Sequence, residues 1–373
     1  MKILFVLENY IPHIGGAEVL FKNLAEGLAE KGHKIDIVTH KIKGTKSFEV
    51  INGVNVHRVN SLYSRYCFSI FSIPAVFKLA RKADIIHTTT YTGTLPAIIA
   101  SKLAGKPSVM TVLEVLGKNW QKFGGMNFLS AKMHQFLEWI IMKLKFDFLV
   151  SISKSTESSV LKFVKKQKSS VIYPAVNYDI FNPRKYDERM RKKLGLEKKF
   201  IYFFYGRPGI SKGFEYLIKA VPLIKQKIPN SKLLALVSKD RTYKKRYNHI
   251  LKLIKKLGIE KDVIILNSVP FKELPYYIKV ADCVVVPSLT EGFGLTAVES
   301  NTMGIPVVAS NTTSLPEVIS GKYMLVKPAN EKAIAEGVYF ISQDKFKKTK
   351  IKRFTEERSI EQYLSIYKKL LKD

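Results

Sequence analysis

Cys283-Val284-Val285-Val286-Pro287 is a short apolar run that leads into Glu291-Gly292-Phe293-Gly294-Leu295-Thr296-Ala297-Val298-Glu299. The run reads as a buried strand, the two glycines as a turn, and the residues from Leu295 onward as a helix. In an α/β chain this puts backbone amides and two carboxylates at the carboxyl end of a strand, where open parallel sheets bind ligands. Gly292 and Gly294 let the backbone approach a ligand with no Cβ in the way, and the amides that begin the helix attract anions such as phosphate. Glu291 lies in the turn and Glu299 roughly two helical turns on, so the carboxylates are spread along a site and do not form one acid/base pair. That spacing suits gripping hydroxyls at separate parts of a long ligand. For an isolated pair, two solvated glutamates on a glycine-rich connection are the simpler reading, so the surrounding sequence has to decide.

Working outward, apolar runs recur between amphipathic segments: Ile3–Leu7, Ile35–Val38, Val54–Val59, Asp84–His87, Ser108–Val112 and Phe146–Ser151. Leu20, Leu24 and Leu28 repeat at helical spacing before Gly32 stops the helix. The alternation predicts a Rossmann-like first domain with helices covering a parallel sheet. Around Tyr173–Pro183 the pattern breaks at Pro174 and Pro183, which places a linker there. A second series follows at Phe200–Tyr205, Lys232–Val237, Val263–Leu266, Cys283–Val286, Ile305–Ala309 and Tyr323–Val326, predicting another doubly wound domain. Ile360, Tyr363, Leu364, Ile366, Tyr367, Leu370 and Leu371 form an apolar stripe on a terminal helix.

Two further loops carry candidate chemistry. Gly15-Gly16-Ala17-Glu18 follows the first strand after Pro12-His13-Ile14, and its amides suit a phosphate, although a plain start of a helix explains a Gly-Gly turn equally well. Gly206-Arg207-Pro208-Gly209-Ile210-Ser211-Lys212-Gly213 closes the first strand of the second domain and brings two cations to one loop. Arg207 and Lys212 are suited to stabilise the charge that grows on a departing diphosphate, against the blander reading of a basic surface loop.

Several of these segments together resemble glycosyltransferase family 4, the retaining nucleotide-sugar transferases of the GT-B fold. The resemblance runs through Pro287-Ser288, Glu291 to Leu295, Glu299, Gly304-Ile305-Pro306-Val307-Val308-Ala309 and Pro316-Glu317-Val318-Ile319. It implies an α/β architecture of two Rossmann-like doubly wound domains facing a cleft. An acceptor-binding domain would span 1–173 and a nucleotide-sugar-binding domain 174–352, with a helix at 353–373 that crosses back to the first. It implies that Arg207 and Lys212 hold the diphosphate and that Glu291, with the amides of Phe293, Gly294 and Leu295, holds the sugar and phosphates. Glu299 would accept from the ribose hydroxyls, Val269 would contact the base, and Gly15 and Gly16 would touch the donor diphosphate or the acceptor. No cofactor or metal is implied beyond the donor itself. The chain departs from the family at Ser300-Asn301, where small apolar residues are preferred, and at Asn311-Thr312-Thr313-Ser314, which replaces a glycine-rich loop. Leu113-Glu114 stands where many members carry a histidine, leaving His87 or Glu114 as substitutes or a base-free mechanism.

Composition sets the outer bounds. At 373 residues the chain suits two domains. Cys67 and Cys283 are far apart, which argues for a reducing compartment and against a disulfide framework. The N-terminal apolar run ends at Glu8 and reads as a strand and not as a leader peptide. The uncharged stretch from Tyr66 to Phe77 falls short of the ~20 residues of a membrane span, so the expected location is cytoplasmic or peripheral at the inner face of the cell membrane. A net charge of +31 favours anionic partners, but lysine pairs such as Lys165-Lys166 and Lys255-Lys256 read mostly as solvated and specify no nucleic acid. Two aromatic and basic stripes are candidates for a membrane interface that receives a lipid-linked or glycan acceptor: Tyr63, Tyr66, Phe68, Ile70, Phe71, Ile73, Val76 and Phe77, and Phe128, Leu129, Met133, Phe136, Leu137, Ile140, Ile141 and Leu144. Core packing is the alternative for each. Two other functions stay open: a different GT-B reaction, such as nucleotide-sugar epimerisation or phosphorolysis, and a basic scaffold without catalysis.

Overall fold

The computed structural model describes residues 1–373 apart from Ile14, Tyr63, Lys165, Lys166, Glu188 and Asp373, and apart from the side chain of Arg241. The expected position of Tyr63 in the first aromatic stripe, of Ile14 in the first turn and of the Lys165-Lys166 pair therefore lies outside the described residues.

Eight strands form the first sheet: β1 (Lys2–Val6), β2 (Lys34–His40), β3 (Phe48–Ile51), β4 (Val54–Val59), β5 (Ile85–Thr89), β6 (Ser108–Val112), β7 (Phe148–Ser151) and β8 (Ser169–Val171). Their order is β3-β4-β2-β1-β5-β6-β7-β8, parallel except for the β3/β4 hairpin. That hairpin turns at Asn52-Gly53, both with positive φ, the chemistry that a tight two-residue connection needs. Seven strands form the second sheet: β9 (Phe200–Gly206), β10 (Ser231–Val237), β11 (Val263–Leu266), β12 (Cys283–Val286), β13 (Val307–Ser310), β14 (Lys322–Val326) and β15 (Lys347–Lys348), ordered β11-β10-β9-β12-β13-β14-β15. In each sheet the first strand in sequence sits inside, with the next strands on one side and later ones on the other. The strand order therefore reverses between β1 and β5 and between β9 and β12, and such reversal points open the crevices in which doubly wound sheets bind ligands.

The chain divides into two compact units. The first comprises Met1–Gly117, Lys132–Ala175 and Phe354–Asp373, and the second Lys118–Ala131 and Val176–Arg353. In the first unit, Ile3 and Phe5 join one apolar cluster while Leu4 and Val6 join another, as the two-residue period of a strand buried on both faces requires. The C-terminal helix Glu356–Leu370 inserts Ile360, Tyr363 and Tyr367 into the cluster around Phe5 and Phe21. Gly27 makes room for it, because a Cβ there would overlap Ile360. Thr355 caps this helix by accepting from the Arg358 amide at 3.4 Å. Tyr202, Phe204, Leu217, Ile218, Leu233 and Val285 lie in the core of the second unit.

Candidate functional site

The second unit places its candidate residues at the β9/β12 reversal point. β9 and β12 are parallel neighbours, with Cys283 opposite Tyr202 and Val284 opposite Phe203, so the loops that leave their carboxyl ends emerge side by side. Gly213 lets them meet: its φ is +64°, and a Cβ there would overlap the carbonyl oxygen of Pro287. The Leu289 amide then donates to the carbonyl of Ser211 at 2.7 Å.

Lys212 and Glu291 form the centre of this junction. The Lys212 ammonium lies 2.6 Å from Glu291 Oε1, and Ser288 Oγ donates to the same oxygen at 2.8 Å. The Glu291 side chain is only 9% exposed and that of Lys212 26%, so the contact is partly shielded from water. Arg207 stands apart from this pair. It is exposed, and its Nη1 donates to the Tyr243 hydroxyl at 3.2 Å. The two cations of one loop thus engage different partners.

The helix that follows the turn, Leu295–Thr302, starts from Gly294 at φ +102°. Leu315 packs against this glycine, where a Cβ would come within 2.8 Å of Leu315 Cδ2. The Ala297 and Val298 amides already donate to the Gly294 carbonyl, and the amides of the first turn before them have no intrahelical acceptor. Phe293 is buried. Glu299 is buried one turn further on, where Tyr205 Oη, from the end of β9, donates to Glu299 Oε2 at 2.9 Å and to the Thr296 carbonyl at 3.0 Å. Burial pushes the Glu299 carboxyl up from its ordinary 4.5 to about 7, and the Tyr205 bond works in the opposite direction by favouring the ionised form. Val269 lies half-buried beyond the end of β11, at the same carboxyl edge of the sheet.

The family departures in this region have a structural role. Thr313 Oγ1 accepts from the Glu291 amide at 2.9 Å, and Ser314 Oγ donates to the carbonyls of Glu291 and Phe293 at 2.9 and 2.8 Å. Thr312 Oγ1 donates to the Leu289 carbonyl at 3.3 Å. The hydroxyls of 312–314 therefore brace the Glu291 turn. Ser300 and Asn301 are also buried, and both are satisfied internally. Ser300 Oγ donates to the Thr296 carbonyl, while Asn301 accepts from the Ser320 amide and donates to the Lys322 carbonyl. Sequence reasoning missed Tyr205, for which a tyrosine closing an otherwise apolar strand next to a glycine was the available signal. It noted Ser288 and Ser314 within their motifs but not their contacts to the Glu291 turn, which arise only in three dimensions.

In the first unit Gly15 and Gly16 begin the helix Gly16–Glu30. The Glu18 carboxylate folds back over this turn, with Oε2 2.5 Å from where a Gly15 Cβ would stand, and His13 Nδ1 lies 3.2 Å from Glu18 Oε1. His87 is fully buried. Its Nδ1 lies 2.6 Å from the Tyr367 hydroxyl and its Nε2 2.8 Å from Thr111 Oγ1, and burial lowers its pKa to about 3. It is therefore a neutral core residue and not a base within reach of substrate, which removes one of the two substitutes for the family histidine. Among the described residues, no group of three His, Cys, Asp or Glu side chains is arranged to hold a metal ion. None of the described helices is long and apolar enough to cross a membrane.

Two doubly wound units with candidate loops at the reversal point define a GT-B architecture. Residues 14–180 match the family described as Glycosyltransferase Family 4, and residues 187–358 match Glycosyl transferases group 1. The chain belongs to the family 4 glycosyltransferases of the GT-B fold. An uncharacterized glycosyltransferase of Methanocaldococcus jannaschii is 28% identical over 361 residues, covering 92% of this chain and 90% of that one. The GPI3 subunit of the Saccharomyces cerevisiae phosphatidylinositol N-acetylglucosaminyltransferase is 23% identical over 80% of this chain, which spans 65% of that relative's length. The structure of Anabaena HepE in complex with UDP-glucose superposes with a TM-score of 0.75 at 18% identity, covering 99% of this chain and 100% of that one.

Proposed function

We propose that this glycosyltransferase moves a sugar from a nucleoside-diphosphate sugar to a hydroxyl acceptor, keeping the anomeric configuration and using no metal ion. The acceptor is a glycan or a lipid-linked molecule at a membrane surface. The observation that carries the reading is the Lys212–Glu291 contact where β9 and β12 diverge, the crevice of the second sheet. A diphosphate entering there would draw the ammonium from the carboxylate to its own oxygens, with Arg207 joining from Tyr243. Glu291 would then be released to accept from the sugar hydroxyls, while the amides at Phe293, Gly294 and Leu295 face the phosphates. Glu299 would take the ribose hydroxyls, Val269 would lie against the base, and Gly15 and Gly16 would serve the first unit's side of the reaction.

In the transfer step the bond between the anomeric carbon and the diphosphate oxygen breaks, and the acceptor oxygen bonds to the same face of that carbon. The acceptor proton passes to the departing phosphate. That route needs no histidine and fits the sealed position of His87. HepE was crystallised in complex with UDP-glucose, and the GPI3 subunit belongs to a phosphatidylinositol N-acetylglucosaminyltransferase. Both are consistent with the donor and acceptor classes proposed.

Thermal-shift measurements against UDP-, GDP- and ADP-sugars test the reading. A matching donor at a hundredfold over its Kd should add about 2.7 kcal/mol of stability, and Lys212→Ala and Glu299→Ala should each remove most of that gain. No shift with any donor, or a shift indifferent to both substitutions, would refute it.

A further inference from the structure

The Phe128–Lys143 helix turns its apolar side outward. Ala131, Glu138 and Met142, at helical spacing, are its buried face. Glu138 is the helix's one acidic residue and is turned inward, where it accepts from the Leu116 and Gly117 amides at 3.0 and 2.6 Å and from the Tyr91 hydroxyl at 3.1 Å. The opposite face carries Met133, Phe136, Trp139 and Ile140, exposed by 47, 59, 48 and 37%, with the Phe136 and Trp139 rings stacked at 6.0 Å. Such a face in water is unfavourable unless something covers it.

A second helix, in the unit that holds residues 132–143, extends the face. Arg65–Phe71 exposes Tyr66, Ile70 and Phe71, and the Tyr66 hydroxyl lies 3.0 Å from His134 Nε2, tying the two helices together. The first aromatic stripe is therefore divided: Phe68 and Val76 are core residues, and only the outward positions contribute here. Arg65, Lys132, Lys143 and Lys145 lie on or beside these helices, and no acidic side chain is exposed on either.

We infer that this face seats on an anionic lipid bilayer, with the aromatic and aliphatic side chains at the edge of the hydrocarbon and the lysine ammonium groups among the lipid phosphates. Charge decides between occupants. A second copy would bring one +31 chain against another and press two lysine-bearing faces together, whereas an anionic bilayer supplies the opposite sign together with apolar depth; Arg65 itself is paired with Glu8 at 3.0 Å, so the lysines carry this argument. The inference deepens the acceptor half of the proposed function and rests on it for its purpose, but it is measured without donor or acceptor. Failure here leaves the donor thermal shift untouched, and failure of donor binding leaves the vesicle result untouched.

The test is co-sedimentation of the full chain with vesicles of phosphatidylcholine alone or with a third of phosphatidylglycerol, at low and high salt. Wild type should pellet with the anionic vesicles, weakly with the neutral ones, and less as salt rises. Phe136→Ser combined with Ile140→Ser should weaken anionic binding by about tenfold or more. A fluorescence measurement needs no loss-of-binding variant: with Trp120→Phe, Trp139 is the sole tryptophan, and brominated lipids should quench it. No pelleting with anionic vesicles, pelleting that the double substitution does not change, or an unquenched Trp139 would each overturn the proposal. So would a dimer in sedimentation velocity that the double substitution converts to a monomer while vesicles bind neither form.

Discussion

Replacing Glu299 with glutamine should make the protein's stability less sensitive to pH in one window. Burial raises the Glu299 carboxyl from 4.5 to about 7, so between those values the folded chain holds a proton that the unfolded chain has released. The folded state binds more protons there, and its stability falls as pH rises. The contribution is fully present below 4.5 and is lost as pH climbs through about 7. At about 1.4 kcal/mol per pH unit, the gap from 4.5 to about 7 amounts to roughly 3 kcal/mol. Glutamine keeps the shape and an oxygen to accept from Tyr205 but carries no charge at any pH. Urea unfolding from pH 4 to pH 8.5 should therefore show Glu299→Gln gaining on wild type by roughly 3 kcal/mol across the window, because every other titrating group is common to both proteins. Parallel stability curves would refute the claim that this carboxyl is buried and neutral at moderate pH.

Tyr205→Phe removes the bond that favours the ionised carboxylate, so the pH at which the Glu299 contribution is lost should move upward in the same titration; an unchanged midpoint would show that the phenol does not touch the acid. Gly213→Ala should cost about 2 kcal/mol or more, because φ is +64° and the new methyl meets the Pro287 carbonyl; a urea midpoint near wild type would contradict that contact. His87→Phe leaves the Thr111 and Tyr367 hydroxyls without their imidazole partner and should destabilise by roughly 1–3 kcal/mol, while the pH profile of transfer keeps its shape. A changed profile would mean that the ring does reach substrate.

Much of the fold could be read from residue order because buried parallel strands are written as uninterrupted apolar runs. Ile3–Leu7, Val54–Val59 and Cys283–Val286 fall on strands within a residue or two. What escaped lacked that signal or hid it. β3 is an exposed edge strand whose best clue was the Asn52-Gly53 turn, and β15 is two lysines without an apolar residue. The turn from Glu291 to Glu299 could be placed at a strand's carboxyl end because glycine and carboxylate spacing are local properties. Its bracing was not legible. Tyr205, Ser288 and the 312–314 hydroxyls reach Glu291 and Glu299 through pairings between strands and loops distant in sequence. His87 shows the converse: a histidine near a strand end looks available in one dimension, and only the return of Tyr363 and Tyr367 from the far end of the chain encloses it.

That return has a consequence for anyone dissecting the molecule. The last helix supplies the phenols that saturate the polar interior behind β5 and β6, so a fragment ending at Ala175 would expose an imidazole and a threonine hydroxyl lined for partners it no longer owns. Trimming the tail should thus injure the amino-terminal half more than the half it is spliced to, and exchanging halves between relatives would have to move both ends of the polypeptide as one piece.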